Sequence, residues 1–231
     1  MKNKIFYPFI IIEFLLFVFS TIAAMGSVDF SDTYLRFSSV VLCFIFILVA
    51  VNRNKTDKIF GSLFALSIVA AEVFATILSA TLINKFLAVL FYALSQVVIL
   101  VRLLKELKMK IWKDLLIVGS VIVLVNVILL LSNTFTWFYF MASIYGVLII
   151  NNVVLAIMEY KKTNPLYRPN WFFLAVGLAF IAICHLNVLL QGFVGETAAL
   201  RSIIDLSAYT FFIPGLVIAI VSFMLFEPRE A

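Results

Sequence analysis

Four ionisable side chains, Glu13, Glu72, His185 and Asp205, interrupt stretches of sequence that are otherwise apolar. A carboxyl and an imidazole are a suitable pair for general acid–base chemistry, one giving a proton while the other takes one. Helical spacing shows what accompanies them. Around Glu72, the residues Ala65, Ala75, Thr76 and Ser79 recur at three, four or seven positions, a small and polar stripe that permits close helix packing. Near His185, the only histidine, Cys184, Asn187 and Gln191 form a second stripe. Arg201, Asp205 and Tyr209 follow at intervals of four, Tyr92 and Gln96 share a face, and Asn126 marks another helix.

The elements that must position these groups lie in a membrane. The chain has 231 residues, of which 65% are hydrophobic and 13% charged, and its mean hydropathy is +1.19. A soluble core of this size cannot hide that much apolar surface, so lipid must be the solvent. Apolar runs recur eight times, near 5–24, 35–51, 59–80, 85–104, 114–132, 135–158, 171–191 and 203–226. They lack alternation of period two, which favours helices over a barrel. The expected fold is all-α: one integral membrane bundle of eight transmembrane helices spanning 1–231 as a single domain.

Charge sets the orientation. With the N-terminus inside, the inner segments carry fourteen of the seventeen basic residues, and the outer ones only Arg36, Lys85 and Arg201. This satisfies the positive-inside rule with both termini cytoplasmic. The net charge of +5 therefore reports topology, and no nucleic-acid partner is expected. The opening residues imitate a secretory signal, but Glu13 interrupts a long run whose removal would upset the charge count. It reads as a retained first helix. The basic loop 102–114 anchors helix ends at the headgroups, or docks an acidic partner or anionic lipid. A bacterial cytoplasmic (inner) membrane is the expected location.

A charged group at bilayer depth costs about 2.5–3.5 kcal/mol on insertion scales, so those that persist face the bundle interior or a cavity. Depth along each helix puts Glu13 near the middle of its span, Glu72 a little outside the midplane, His185 in the outer third and Asp205 near the outer mouth. The pattern predicts a polar pocket in the outer half, built from the third, fourth, fifth, seventh and eighth helices. In it, the His185 ring should reach Glu72, Gln96, Asn126 or Asp205. The same groups can instead be hydrogen-bonding ties between helices, worth roughly 0.6 kcal/mol each. No metal site is expected, because there is no second histidine and Cys43 and Cys184 lack ligand spacing. No cofactor is expected, and no G-x-S-x-G or Walker-type loop appears.

Helices three, four and seven carry a resemblance. VAAEVFATIL (69–78), ALSQVVIL (93–100) and VGLAFIAICHLNVLLQGF (176–193) resemble, in order and spacing, the polar landmarks of the lysoplasmalogenase-like YhhN family of eight-span membrane proteins. In that alignment Glu72 stands where the family has Asp, Gln96 where it has His, and His185 where it has a second Asp. Tyr209 matches the Tyr of the final helix, and Arg36-Phe37 stands for a basic-Pro pair. The resemblance implies a protein that handles a membrane lipid or lysolipid by hydrolysing a vinyl-ether bond. Glu72 and His185 would then be catalytic, with Gln96, Asn126, Tyr209 and Asp205 binding substrate or water. A different class stays open: a non-catalytic subunit or sensor binding lipid, another membrane protein or a second copy of itself.

Overall fold

Among the residues described by the computed structural model (5–25, 29–50, 55–78, 81–108, 111–132, 136–191 and 198–224) there are helices and no strands. The side chains of 24–33, 111–112 and 188–209 lie outside that description. In chain order the helices are α1 (Phe6–Met25), α2 (Asp29–Val49), α3 (Lys55–Glu72), α4 (Leu82–Leu107), α5 (Ile111–Leu131), α6 (Trp137–Lys162), α7 (Arg168–Gln191) and α8 (Ala198–Met224). A π-helical turn, Val73–Ile77, extends α3 directly after Glu72.

Six of these, α1, α3 with its π turn, α4, α5, α6 and α7, are long and apolar enough to cross a bilayer. In α2 and α8 the side chains are described only from Tyr34 and Thr210 onward, and the described parts, Tyr34–Val49 and Thr210–Met224, are apolar. This build is compatible with a multi-pass membrane protein. Surface chemistry points the same way: α1 exposes Tyr7, Ile11, Phe14, Phe19 and Ile22, and α5 exposes Leu116, Ile117, Val123, Leu124 and Leu131. Apolar faces so extended are stable only against an apolar solvent.

Local signals set the helix ends. Thr81 and Thr136 each accept a bond from a backbone N–H three residues on, at 3.2 Å, which starts α4 and α6. Lys108 stops α4 in a left-handed conformation, φ 51°. Pro169 falls in the first turn of α7, where its missing N–H costs nothing.

Consecutive helices run antiparallel, as their short connections require. Phe9 of α1 stacks on Phe46 of α2 at 3.8 Å, while Glu13 meets Ser39. By contrast α4 and α6 run parallel, since Tyr92 meets Tyr145 and Gln96 meets Asn152 in the same order. The tightest contact joins α7 and α8. A Cβ on Gly177 would stand 2.6 Å from the Ala219 backbone nitrogen and 2.7 Å from the Gly215 carbonyl oxygen. Only glycine lets the two backbones approach so closely. The core between the helices is filled by Phe64, Ile68, Ile99, Leu103, Leu178 and Ile220, among others.

One polar tie sits at the end of the bundle where α3 begins and α4 finishes. Arg102 donates to Asp57 at 2.7 Å, and its guanidinium lies over the rings of Trp171 (4.7 Å) and Phe223 (4.5 Å). Both partners are buried. Arg102, counted as a loop charge from sequence, is thus a core residue that joins α3, α4, α7 and α8.

Candidate functional site

Glu72 closes the last regular turn of α3 and is 1% exposed. Its carboxylate meets the Arg36 guanidinium of α2 at 2.8 Å and accepts a hydrogen bond from the Tyr92 hydroxyl of α4. The π turn that follows widens the helix just where the carboxylate leaves it, and Thr76 returns its hydroxyl to the Glu72 carbonyl. Such insertions concentrate at functional positions. On the other side of the connection, Asn84 donates its amide to the Leu78 carbonyl, tying the end of α3 to the start of α4.

His185 enters from α7. Its Nδ1 lies 2.9 Å from the Ile181 carbonyl oxygen and 3.0 Å from the Tyr145 hydroxyl of α6. A carbonyl oxygen only accepts, so the proton belongs on Nδ1 and the neutral ring keeps its lone pair on Nε2. The ring packs edge-on against Tyr92 (4.7 Å), Tyr145 (5.0 Å) and Phe212 of α8 (5.8 Å). Arg36 also lies over Phe212, at 5.9 Å. The result is a compact assembly in which α2, α3, α4, α6, α7 and α8 each contribute a side chain.

Among the described residues the ring's hydrogen-bonding neighbours are Tyr145 and its own helix, while the Asp205 side chain lies outside the description. Arg36 satisfies Glu72 electrostatically, and the Tyr92 ring stands between the carboxylate and the imidazole. Glu72 and His185 share Tyr92: its hydroxyl serves one, its ring edge the other. The arrangement can hold a proton donor or acceptor at two separated points, with a cation between α2 and α3.

Gln96 lies one turn further along α4 and faces α6. Asn152 donates to its backbone carbonyl at 2.8 Å and to its Oε1 at 3.1 Å, while Gln96 Nε2 reaches Ser95 Oγ at 3.3 Å. Asn152 Oδ1 is buried without a partner among the described residues. Asn126 joins α5 to α6, donating to Ser143 Oγ and to the Ile122 carbonyl, both at 2.8 Å. It contributes no bond to the Glu72–His185 cluster. The side chains of Asp205, Tyr209 and Gln191 lie outside the described residues. Glu13 makes a separate contact between α1 and α2, accepting from the Ser39 hydroxyl and from Cys43 Sγ at 3.4 Å. No cluster of three or more metal-ligating side chains occurs among the described residues.

Tyr145 and Asn152 were not singled out from sequence, and the sixth helix, expected at 135–158, was not counted among those that build the site. A signal existed: the two stand seven apart, on one helical face, opposite the Tyr92–Gln96 face of α4. Arg36, counted from sequence with the outer segments, lies within helix α2 and meets the buried Glu72 at 2.8 Å. Comparison with family profiles, curated proteins and solved structures gives no match for this chain.

Proposed function

We propose that this chain is an eight-span protein of the bacterial cytoplasmic membrane, both termini inside, that holds a lysolipid at the Arg36–Glu72–Tyr92–Tyr145–His185 cluster. The proposed chemistry is hydrolysis of a vinyl-ether bond, as the resemblance to the lysoplasmalogenase-like family implies. One observation carries the reading: the Nδ1···O=C contact with Ile181 favours the tautomer that leaves Nε2 as an acceptor, in a ring packed against Tyr92 and Tyr145.

In this reading Glu72 must first take up a proton and leave its pair with Arg36; the acid form then protonates the outer carbon of the alkene, directly or through the Tyr92 hydroxyl, and is left as the carboxylate. Water, losing its proton to His185 Nε2, adds to the ether-bearing carbon. Collapse of the hemiacetal gives a long-chain aldehyde and the glycerol hydroxyl of the remaining headgroup. Gln96 and Asn152 form the polar floor one turn deeper, where the unfilled Asn152 acceptor suits a water.

A specific observation favours a second reading, a lipid-binding subunit or sensor without catalysis. Arg36 occupies the Glu72 carboxylate at 2.8 Å, and a carboxylate so neutralised is a poor acid or base. Incubating purified protein with a 1-alkenyl lysophospholipid separates the two. Aldehyde release supports the hydrolase, uncleaved lipid recovered with the protein supports the binder, and the lipid reading falls if lipid is neither retained nor cleaved.

A further inference from the structure

Glu13 of α1 is a buried acid that the site above does not use. It stands near the middle of the candidate span Phe6–Ala23, about 10 Å of helix rise from the nearer end. Its neighbours Ile12 and Phe14 are exposed on the apolar surface, whereas Glu13 is 3% exposed and turns to α2. There its Oε2 meets the Ser39 hydroxyl and its Oε1 the Cys43 thiol at 3.4 Å, and both partners are fully buried. One turn back along α1, Phe9 stacks on Phe46 of α2, and one turn on, Phe17 packs against the core. The carboxyl is enclosed on all these sides by apolar groups.

What Glu13 lacks is a cation. Glu72 meets Arg36 and Asp57 meets Arg102, but no basic side chain pairs with Glu13 among the described residues. On α2 the charged group nearest in sequence to Ser39 is Arg36, which turns to Glu72 at 2.8 Å. The other helix packed on α1 is α8, and between Thr210 and Met224 it carries no titratable side chain. A charged carboxylate at the centre of a span is disfavoured by about a hundredfold on insertion scales. A buried acid without a countercharge takes up a proton instead. The contacts suit that form. A hydroxyl accepts as well as donates, so a protonated Oε2 donates to Ser39 Oγ while the thiol still donates to Oε1.

We propose that Glu13 is a proton-binding site within the membrane, occupied at neutral pH, whose proton keeps the seam between α1 and α2 free of charge. The site is independent of the lipid reading and stands or falls apart from it. Infrared spectroscopy of the full-length protein in nanodiscs reads the bound proton directly, because a carboxylic acid has a carbonyl stretch that a carboxylate lacks. A lipid-soluble probe, dicyclohexylcarbodiimide, reads the same state chemically. The acid proton passes to one carbodiimide nitrogen and the carboxylate oxygen bonds to the central carbon. The O-acylisourea so formed rearranges to a stable N-acylurea, with nothing released.

At neutral pH the wild type should show an acid band that Glu13→Gln loses, and the band should fade in alkaline buffer as the carboxylate forms. Glu13→Gln keeps an acceptor for Ser39 and should stay folded. Glu13→Asp keeps an acid and should shift the band, which secures the assignment even where the glutamine variant does not fold. The carbodiimide should modify Glu13 about tenfold or more faster than Glu72, whose carboxylate Arg36 holds in its charged form. A neutral-pH spectrum in which neither variant alters an acid band overturns the proposal. A band that alkaline buffer leaves untouched overturns it too, since the acid is then a fixed tie between helices. Modification of Glu72 with none at Glu13 also overturns it, and where neither residue is modified the band decides.

Discussion

At the scale of single residues, Glu72 and Arg36 are the pair on which most depends. Removing one member of a buried pair leaves an uncompensated charge, at a cost of about 3–5 kcal/mol. Arg36 is 22% exposed, so Glu72→Leu should cost less than that, about 1–3 kcal/mol, chiefly because the buried Tyr92 hydroxyl loses its acceptor. Glu72→Gln still accepts from Tyr92 and should cost clearly less. Unfolding in detergent micelles checks this, and equal losses in the two variants would mean that the carboxylate does not face the interior. The sequence made Glu72 and His185 legible because a charge within an apolar run is conspicuous on its own. Tyr145 was not, since a tyrosine in a membrane helix attracts no suspicion until a neighbour is known. The His185–Tyr145 contact joins residues forty apart, and no local pattern records it.

At the scale of elements, the eight helices were legible to within a few residues at most ends, because each is a long apolar run. The exceptions have physical causes. The polar segment DFSDTYLRF that opens α2 reads as a loop by hydropathy, yet the helix begins at Asp29. The π turn after Glu72 leaves no compositional trace. The close approach of α7 and α8 was equally hidden, since Gly177 and Gly215 look like any glycines until packing is known. It yields a prediction: Gly177→Ala forces a methyl into the α8 backbone and should destabilise by about 1–3 kcal/mol. Gly119 and Gly146 meet nothing within 4 Å, so alanine there should be neutral or mildly stabilising through helix propensity, by up to about 1 kcal/mol. Thermal melting of the three variants tests the contrast. A Gly177→Ala protein as stable as Gly119→Ala would mean that α7 and α8 do not pack as described.

At the scale of the whole molecule, α3 carries a buried acid near each end, Asp57 and Glu72, and each is paired with an arginine from a neighbouring helix. The pairs hold opposite ends of the bundle, and the Arg102 pair sits with the basic segments that the positive-inside rule assigns to the cytoplasm. Orientation follows as a prediction: cysteines placed at 52–55, 108–110 and 162–166 should resist a membrane-impermeant thiol reagent added outside the cell. Labelling at any of these loops would reverse or break the topology. The assembly around Glu72 and His185 is proposed to receive a single-chain lipid. Mass spectrometry of the lipids that accompany gently purified protein tests it, comparing the wild type with His185→Phe, which keeps a ring beside Tyr92 and Tyr145 but removes both nitrogens. The account predicts lysolipids enriched over the source membrane in the wild type and not in the variant, with both proteins folded. Lipids that mirror the source membrane in both would contradict it.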